Sequence, residues 1–524
     1  MVFSFLVVAL QIDAILGEVT IGGRRRKLRE MTSGLRDAYT ATLSRIRGQR
    51  GALARYGISA LMWISFAERP LLIDELCHAL AVEIEPPDFD PEMVPTIETI
   101  VASCMGLVTI DYASYTARLV HATLEEYLCS HRDNVFRDTH ATMAEVCLSY
   151  LSIASARGIL PNLETVPSEF ALLGYASCYW GAHARKEFTV RVRQLAIGIL
   201  DNIQHVVGNI HLPLEDDSDM WCWGSSSTSG LHYLAYFGMN EILETLLRMG
   251  QGNLNQTDWW GRTPLHLAAR GGNEGMVKTL LRCADVDPNA QDEDGNTPLH
   301  TASGNNHEGV VRILLSRPDV DPDSLNHVGE TPLFHAAGGG HEKVARILLS
   351  RADPNLVSVE HSRTAPLLQA SIRGHEAVMR VLLSHANIKP NLANRAGQTP
   401  LHAASEEGRE ELLRILLSRD DVNPNLTNMW GQTPLSEASE LGYEGVVRIL
   451  LSRADVNPNL AGWSNQTPLL RAAVSGHEGV VRILLSRTDV DPNLPNCEGL
   501  TPLSLAATMK GWRPHKATPM PAPT

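Results

Sequence analysis

The chain has 524 residues, of which 44% are hydrophobic, and a formal net charge of -14. That balance describes a folded multidomain protein rather than a disordered one, and its acidity argues against non-specific binding to nucleic acid or to an anionic membrane. The eight cysteines, Cys77, Cys104, Cys129, Cys147, Cys178, Cys222, Cys283 and Cys497, are scattered with no C-x-x-C pair, which reads as reduced thiols in a cytosolic protein rather than a disulfide framework.

The apolar start, Met1 to Leu10, lacks a basic n-region and a small-residue cleavage pattern, and Asp13 and Glu18 follow at once. It reads as a buried helix rather than a secretory signal. No stretch reaches the run of about 20 apolar residues that crosses a bilayer. The expected location is cytoplasmic. Arg24-Arg25-Arg26-Lys27 leaves a nuclear signal open beside the preferred reading, a solvated interdomain segment.

From Leu35 onward short amphipathic helices are predicted at Leu35 to Ile46, Tyr56 to Phe66, Ile73 to Val82 and Val94 to Cys104. Leu107 to Asp111 and Thr116 to Val120 alternate as two strands of a hairpin, and a further helix follows at Thr123 to Cys129. Helices, a hairpin and a closing helix make a winged-helix arrangement of residues 35–135. Residues 136–222 read as a helical linker domain, with helical material from Thr139 to Ala156.

Beyond it one phrase begins at Ser229, Thr263, Thr297, Thr331, Ala365, Thr399, Thr433, Thr467 and Thr501, always 34 residues apart. Thr serves as a helix N-cap and Pro at the next position brings a preset φ where no amide is needed. Leu299 and Ala302 face inward, Ala403-Ala404 lets neighbouring first helices stack closely, and Gly ends each first helix. Asn306 breaks the Gly row that runs from Gly238 to Gly476. The second helix, Val310-Val311-Arg312-Ile313-Leu314-Leu315 in one copy, is apolar on most of its surface and suits a position between two other repeats. After Ser350 the junction is two residues short and the next hairpin two residues long, so the helices keep their spacing.

The phrase resembles the ankyrin repeat, with one residue more than the usual 33. The resemblance implies a mainly α protein: an ankyrin-repeat solenoid of about nine units over residues 223–512, the last incomplete, preceded by the winged-helix-like and helical domains. Residues 513–524 read as a disordered Pro-rich tail. Tyr233, Tyr236 and Phe237 stand in the first unit where later units carry polar residues, so it is expected to dock on the preceding domain.

Glu68 to Leu80, Cys104 to Val108, Arg118 to Leu128 and the phrase Leu173 to Ala184 look like the winged-helix segment and linker of fungal NACHT-ankyrin proteins, relatives of NOD-like receptors. Leu10 to Leu16 is similar to the end of that family's NTPase module, so residues 1–34 read as its remnant. The family's Walker A loop, whose amides cradle phosphates, does not occur in the sequence. The resemblance implies the C-terminal, sensor half of a signal-transducing NTPase in fungal non-self recognition, working with a nucleotide-binding module elsewhere. It also implies that His121 matches a winged-helix His that contacts bound nucleotide; here it is either a remnant of nucleotide sensing or a His satisfied within the fold.

Other chemistry is weakly represented. His-Glu recurs at His307, His341, His375 and His477, but the fifth positions are Val311, Ala345, Met379 and Val481, so H-E-x-x-H zinc binding is excluded. No G-x-S-x-G elbow occurs. The predicted helix Ile73 to Val82 has Asp74 and Glu75 and no Lys or Arg, which disfavours DNA reading. No cofactor, metal or catalytic residue is expected.

Two surfaces of the repeats remain. Trp259, Trp260, Trp430 and Trp463 lie at expected hairpin tips, as exposed binding anchors or as packing between hairpins. Glu406, Glu407, Glu437 and Glu440 fall on first-helix positions expected to face the concave side, as an acidic patch for a basic segment or as a solvated face. The expectation is a non-enzymatic scaffold that binds a protein partner over about Glu406 to Arg471, with neither nucleic acid nor membrane as a ligand.

Overall fold

The computed structural model describes residues 35–84, 87–156, 168–202, 230–248, 253–357 and 364–508. The readings for residues 1–34, including Arg24 to Lys27, and for the tail 513–524 lie outside the described residues. The chain divides into two compact units, Met1–Trp259 and Trp260–Thr524.

In the first unit, α1 (Leu35–Arg47), α2 (Leu53–Phe66), α3 (Ile73–Ala81) and α4 (Ile97–Ser103) precede a hairpin of β3 (Val108–Asp111) and β4 (Thr116–Leu119), after which α5 (Ala122–Ser130) follows. The hairpin is antiparallel with Val108 opposite Leu119 and Asp111 opposite Thr116. A second, two-residue hairpin, β1 (Glu83–Ile84) with β2 (Pro87–Asp88), was not foreseen. It is too short for any alternation to show. Helix α2 is central because Ala60, Leu61 and Trp63 are fully buried and because Gly57 admits a close neighbour. A Cβ at Gly57 would lie 2.7 Å from the Ser103 carbonyl oxygen at the end of α4.

Helix α3 begins on a carboxylate. The Leu72 N–H donates to Glu75 Oε2 at 2.9 Å, and Arg69 donates to both oxygens of Glu75 at 2.6 and 2.8 Å. Glu75 is therefore buried and used internally, which accounts for one of the two acidic residues on this helix.

After a four-residue helix, α6 (Arg132–Val135), α7 (Thr139–Ala156) packs along α8 (Leu173–Lys186), and α9 (Val190–Asn202) follows. Tyr150 on α7 sits between Phe89 and Phe170, with ring centroids 5.0 and 5.6 Å away. The first repeat, α10 (Gly230–Phe237) and α11 (Asn240–Arg248), closes the unit. Its Phe237 packs directly over Gly181 of α8, where any side chain would collide with the ring, and lies 6.4 Å from Trp180. The aromatic first unit thus packs against the helical segment before it, as its composition predicts.

The second unit is a run of helix pairs: α12 (Pro264–Arg270) with α13 (Glu274–Leu281), α14 (Pro298–Gly304) with α15 (Glu308–Leu315), α16 (Pro332–Gly338) with α17 (Glu342–Leu348), and α18 (Pro366–Arg373) with α19 (Glu376–Leu383). It continues through α20 (Pro400–Glu406) with α21 (Glu410–Leu417), α22 (Pro434–Leu441) with α23 (Glu444–Leu451), α24 (Pro468–Ser475) with α25 (Glu478–Leu485), and α26 (Pro502–Thr508). Val310, Val311 and Leu314 have no exposure at all; burying each such side chain contributes about 1.5–3 kcal/mol. Thr331, Thr433 and Thr467 act as N-caps, accepting from the backbone N–H three residues on at 3.1, 3.1 and 3.2 Å. Gly374 and Gly442 end their helices at φ 82° and 80°, the left-handed region, and Asn306 occupies the same position at φ 61°. Asn tolerates that conformation better than other residues with a Cβ.

Candidate functional site

Much of the repeated phrase holds neighbouring repeats together. In the first helices His266, His300 and His402 accept through Nδ1 from the N–H of Thr263, Thr297 and Thr399 at 3.1 to 3.3 Å. With Nδ1 accepting, Nε2–H donates to the carbonyl of Asn296, Glu330 or Gln432 in the next repeat at 2.9 to 3.0 Å. Burial pushes His300 and His402 down to about 4, so both are neutral at pH 7.

The His-Glu dipeptides serve the same end. His307, His341, His375 and His477 bond through Nε2 to the carbonyls of Arg270, Gly304, Gly338 and Glu440 in the preceding repeat at 2.8 to 2.9 Å. Arginines form a third ladder: Arg317, Arg419 and Arg487 each donate to a carbonyl of the preceding repeat at 2.6 to 2.7 Å while holding Asp319, Asp421 and Asp489. None of these side chains is free to act as a ligand or base.

The exposed tryptophans of the repeats lie at hairpin tips. Trp259 and Trp463 are 64% exposed and Trp430 is 40% exposed. Trp260 is half-buried under the Arg262 guanidinium, 4.3 Å from its ring centroid. The tips of Trp430 and Trp463 abut: the Trp463 N–H donates to the Trp430 carbonyl at 3.3 Å, and Met429 beside them is 56% exposed.

The acidic positions divide. Glu406 and Glu407 are exposed, and Glu406 accepts from Gln398 Nε2 at 3.0 Å. Glu440 is half-buried and takes both Gln432 Nε2, at 3.0 Å, and the Arg471 guanidinium. Glu437 corrects the expectation of a surface charge. It is only 7% exposed, accepts from Asn428 Nδ2 at 2.7 Å, and burial beside Glu406 pushes its carboxyl up to about 8. The physical reason is register. One repeat spacing puts Ala403, Glu437 and Arg471 in one column, and that column faces the neighbouring first helix rather than solvent. Arg471, with 11% of its side chain exposed, is likewise a bridge between repeats.

In the first unit His121 is the N-cap of α5, its Nδ1 accepting from the Thr123 N–H at 3.2 Å and lying 2.9 Å from Thr123 Oγ1. Sequence reasoning missed a polar group in this unit, two buried histidines and an exposed glutamate. His140 at the start of α7 and His183 on α8 face each other, Nδ1 to Nδ1 at 2.9 Å, with Glu68 Oε1 3.8 Å from His183 Nδ1. Burial pushes His140 down to about 4 and His183 to about 3. Three segments far apart in sequence supply this group, and no spacing rule could have found it.

With this geometry in place, comparison with known proteins is direct. Ankyrin-repeat models match residues 231–326, 314–394 and 386–461, and a further single repeat matches 464–497. The winged helix domain of GPI inositol-deacylase matches residues 41–141. Among solved structures, the ankyrin repeat domain of human ASB11 is 26% identical over 42% of this chain and 97% of its own, with a TM-score of 0.38. No curated protein matches the chain. The molecule is mainly helical, with an ankyrin-repeat solenoid in its C-terminal part and a winged-helix domain before it. That winged helix is of the GPI-inositol-deacylase type.

Proposed function

We propose that the solenoid is a non-enzymatic scaffold that captures a protein partner on the face around Glu406 to Arg471. The observation that carries this reading is the pair of exposed, abutting tryptophan tips, Trp430 and Trp463, on a framework whose other repeated polar groups are consumed in holding the repeats together. Large aromatics left in water at a rigid edge are common anchors for a partner. Glu406 and Glu407, exposed at the end of α20, add negative charge, which suits a basic, extended segment with an apolar anchor of its own. Trp259 is a further exposed tryptophan that a partner could use. Ankyrin-repeat architecture is typically non-enzymatic.

The winged helix favours a second, wider reading. Sequence likeness over residues 41–141 agrees with the resemblance to NACHT-ankyrin proteins, in which this chain would be the sensor half of a signal-transducing NTPase with the nucleotide-binding module elsewhere. His121 would then be a nucleotide-contacting remnant that now caps α5.

Affinity capture with the full chain tests the first reading. A partner retained by wild type at low salt and released as salt rises, with weaker retention by Glu406→Lys/Glu407→Lys, supports it. Retention indifferent to both removes the charge component from the surface. For the second reading, nucleotide should bind the complex of this chain with a separate NTPase module and not this chain alone; micromolar ATP binding by the isolated chain would count against it.

A further inference from the structure

We propose that Glu68, His140 and His183 form a metal site for a divalent transition ion, Zn²⁺ being the best fit, which ties together three segments of the N-terminal unit. Their donor atoms all lie within 4.8 Å of one another. The Nδ1 atoms of His140 and His183 are 2.9 Å apart and Glu68 Oε1 is 3.8 Å from His183 Nδ1. Ligands bound at about 2.0–2.2 Å around a tetrahedral ion are separated by roughly 3.3–3.6 Å, so the two distances bracket what a Zn²⁺ ion would impose. Two imidazole nitrogens that face each other this closely need a shared proton or a cation between them. Bound Zn²⁺ would take the place of that proton, which moves to the Nε2 of the same ring, so that both imidazoles bind as neutral ligands.

The surroundings match what supports a metal. His183 hydrogen-bonds through its other nitrogen, Nε2, to Tyr175 Oη at 2.8 Å, and Tyr175 Oη also accepts from the Glu68 N–H at 3.0 Å. Such an outer hydrogen bond fixes ring orientation in metal-binding histidines. Trp63 packs edge-on against His183, with ring centroids 6.3 Å apart, and Phe66 against His140 at 6.0 Å, walling the imidazoles off from water. Glu68 is the open side, through which an ion and a fourth, aqueous ligand would enter. Two nitrogens and a carboxylate suit Zn²⁺ better than Mg²⁺ or Ca²⁺, which prefer all-oxygen sets.

Lys186 and Arg132 both put positive charge beside His140, and Lys186 stands in the ion's way. Lys186 Nζ donates to Glu68 Oε1 at 2.7 Å and must release it, which its 48% side-chain exposure permits. Lys186 therefore sets the affinity without being a ligand. The site would lock the segment after α2 to the start of α7 and the last turns of α8.

The test is titration of the full chain, stripped with a chelator, with Zn²⁺ against a chromophoric competitor, followed by Co²⁺ absorption to report coordination. One equivalent is expected to bind and to raise the melting temperature. Glu68→Gln should weaken binding at least tenfold, His183→Gln should abolish it, and Lys186→Met should tighten it. Glu68 and Lys186 are exposed enough that their variants fold, so they decide the matter even if His183→Gln does not. Absence of stoichiometric binding overturns the proposal, and so does wild-type affinity in both Glu68→Gln and Lys186→Met, which would place the ion elsewhere among the 20 histidines.

Discussion

The backbone N–H of Trp463 donates to the carbonyl oxygen of Trp430 at 3.3 Å, so two successive hairpin tips are fixed to each other while Trp463 stays largely and Trp430 partly exposed. A Cβ at Gly462 would lie 2.8 Å from the Gly431 carbonyl oxygen, so the tips sit backbone to backbone. The result is a rigid aromatic edge with little entropy left to lose on binding.

Glu437 makes the solenoid sensitive to alkali. Its carboxyl titrates at about 8 in the folded chain against an ordinary 4.5, so between these values the folded state holds a proton that the unfolded state has lost. Stability contributed at this position is full below pH 4.5 and falls as pH rises towards 8. Glu437→Gln should raise the melting temperature at pH 8.5, by about 1–3 kcal/mol of stability, and change it little at pH 4.5. Thermal melts across that range check it.

His300 and His402 act in the opposite sense. Burial holds both at about 4 in the folded chain, below the ordinary 6.5, so the unfolded state takes up protons first as pH falls. Their contribution is full above pH 6.5 and is lost between there and pH 4. Urea midpoints should decline over that window, and less steeply in a His300→Gln/His402→Gln variant.

The inter-repeat ladder should act locally. His341→Ala removes the bond to the Gly304 carbonyl and is expected to cost about 1–2 kcal/mol, with hydrogen exchange accelerated in α14 to α17 and unchanged in α22 to α25. Uniform acceleration would show that the ladder is not local in its effect.

Asn306 can be improved. It holds φ 61° where most repeats place Gly, and its side chain is exposed. Asn306→Gly should raise stability by up to about 1 kcal/mol, read as a shift in the urea midpoint.

The solenoid was largely legible in the sequence because its rule is local: Thr-Pro starts a helix, Gly ends it, and the period of 34 residues sets the stacking. The hairpin of Val108–Asp111 with Thr116–Leu119 was legible for the same reason, being alternation around a short turn. Glu437 was misread because charge alone suggested solvent, although its column neighbours Ala403 and Arg471 already marked a position between helices. Helix α9 falls inside the segment read as a helical linker, though its own bounds were not given, and the two-residue hairpin at Glu83–Ile84 was not foreseen because it is too short for any pattern. The Glu68, His140 and His183 group depends on how α7 and α8 pack, and packing between helices leaves no mark in spacing.

The central claim, that Trp430 and Trp463 anchor a partner protein, is tested most directly by the affinity of a captured partner for wild type and for Trp430→Ala/Trp463→Ala. Truncating an aromatic anchor costs about 2 kcal/mol or more, roughly thirtyfold in Kd, so the double variant should lose at least that much while its circular dichroism and melting temperature stay close to wild type. A Kd unchanged in the folded double variant would contradict the account and make the two tryptophans structural.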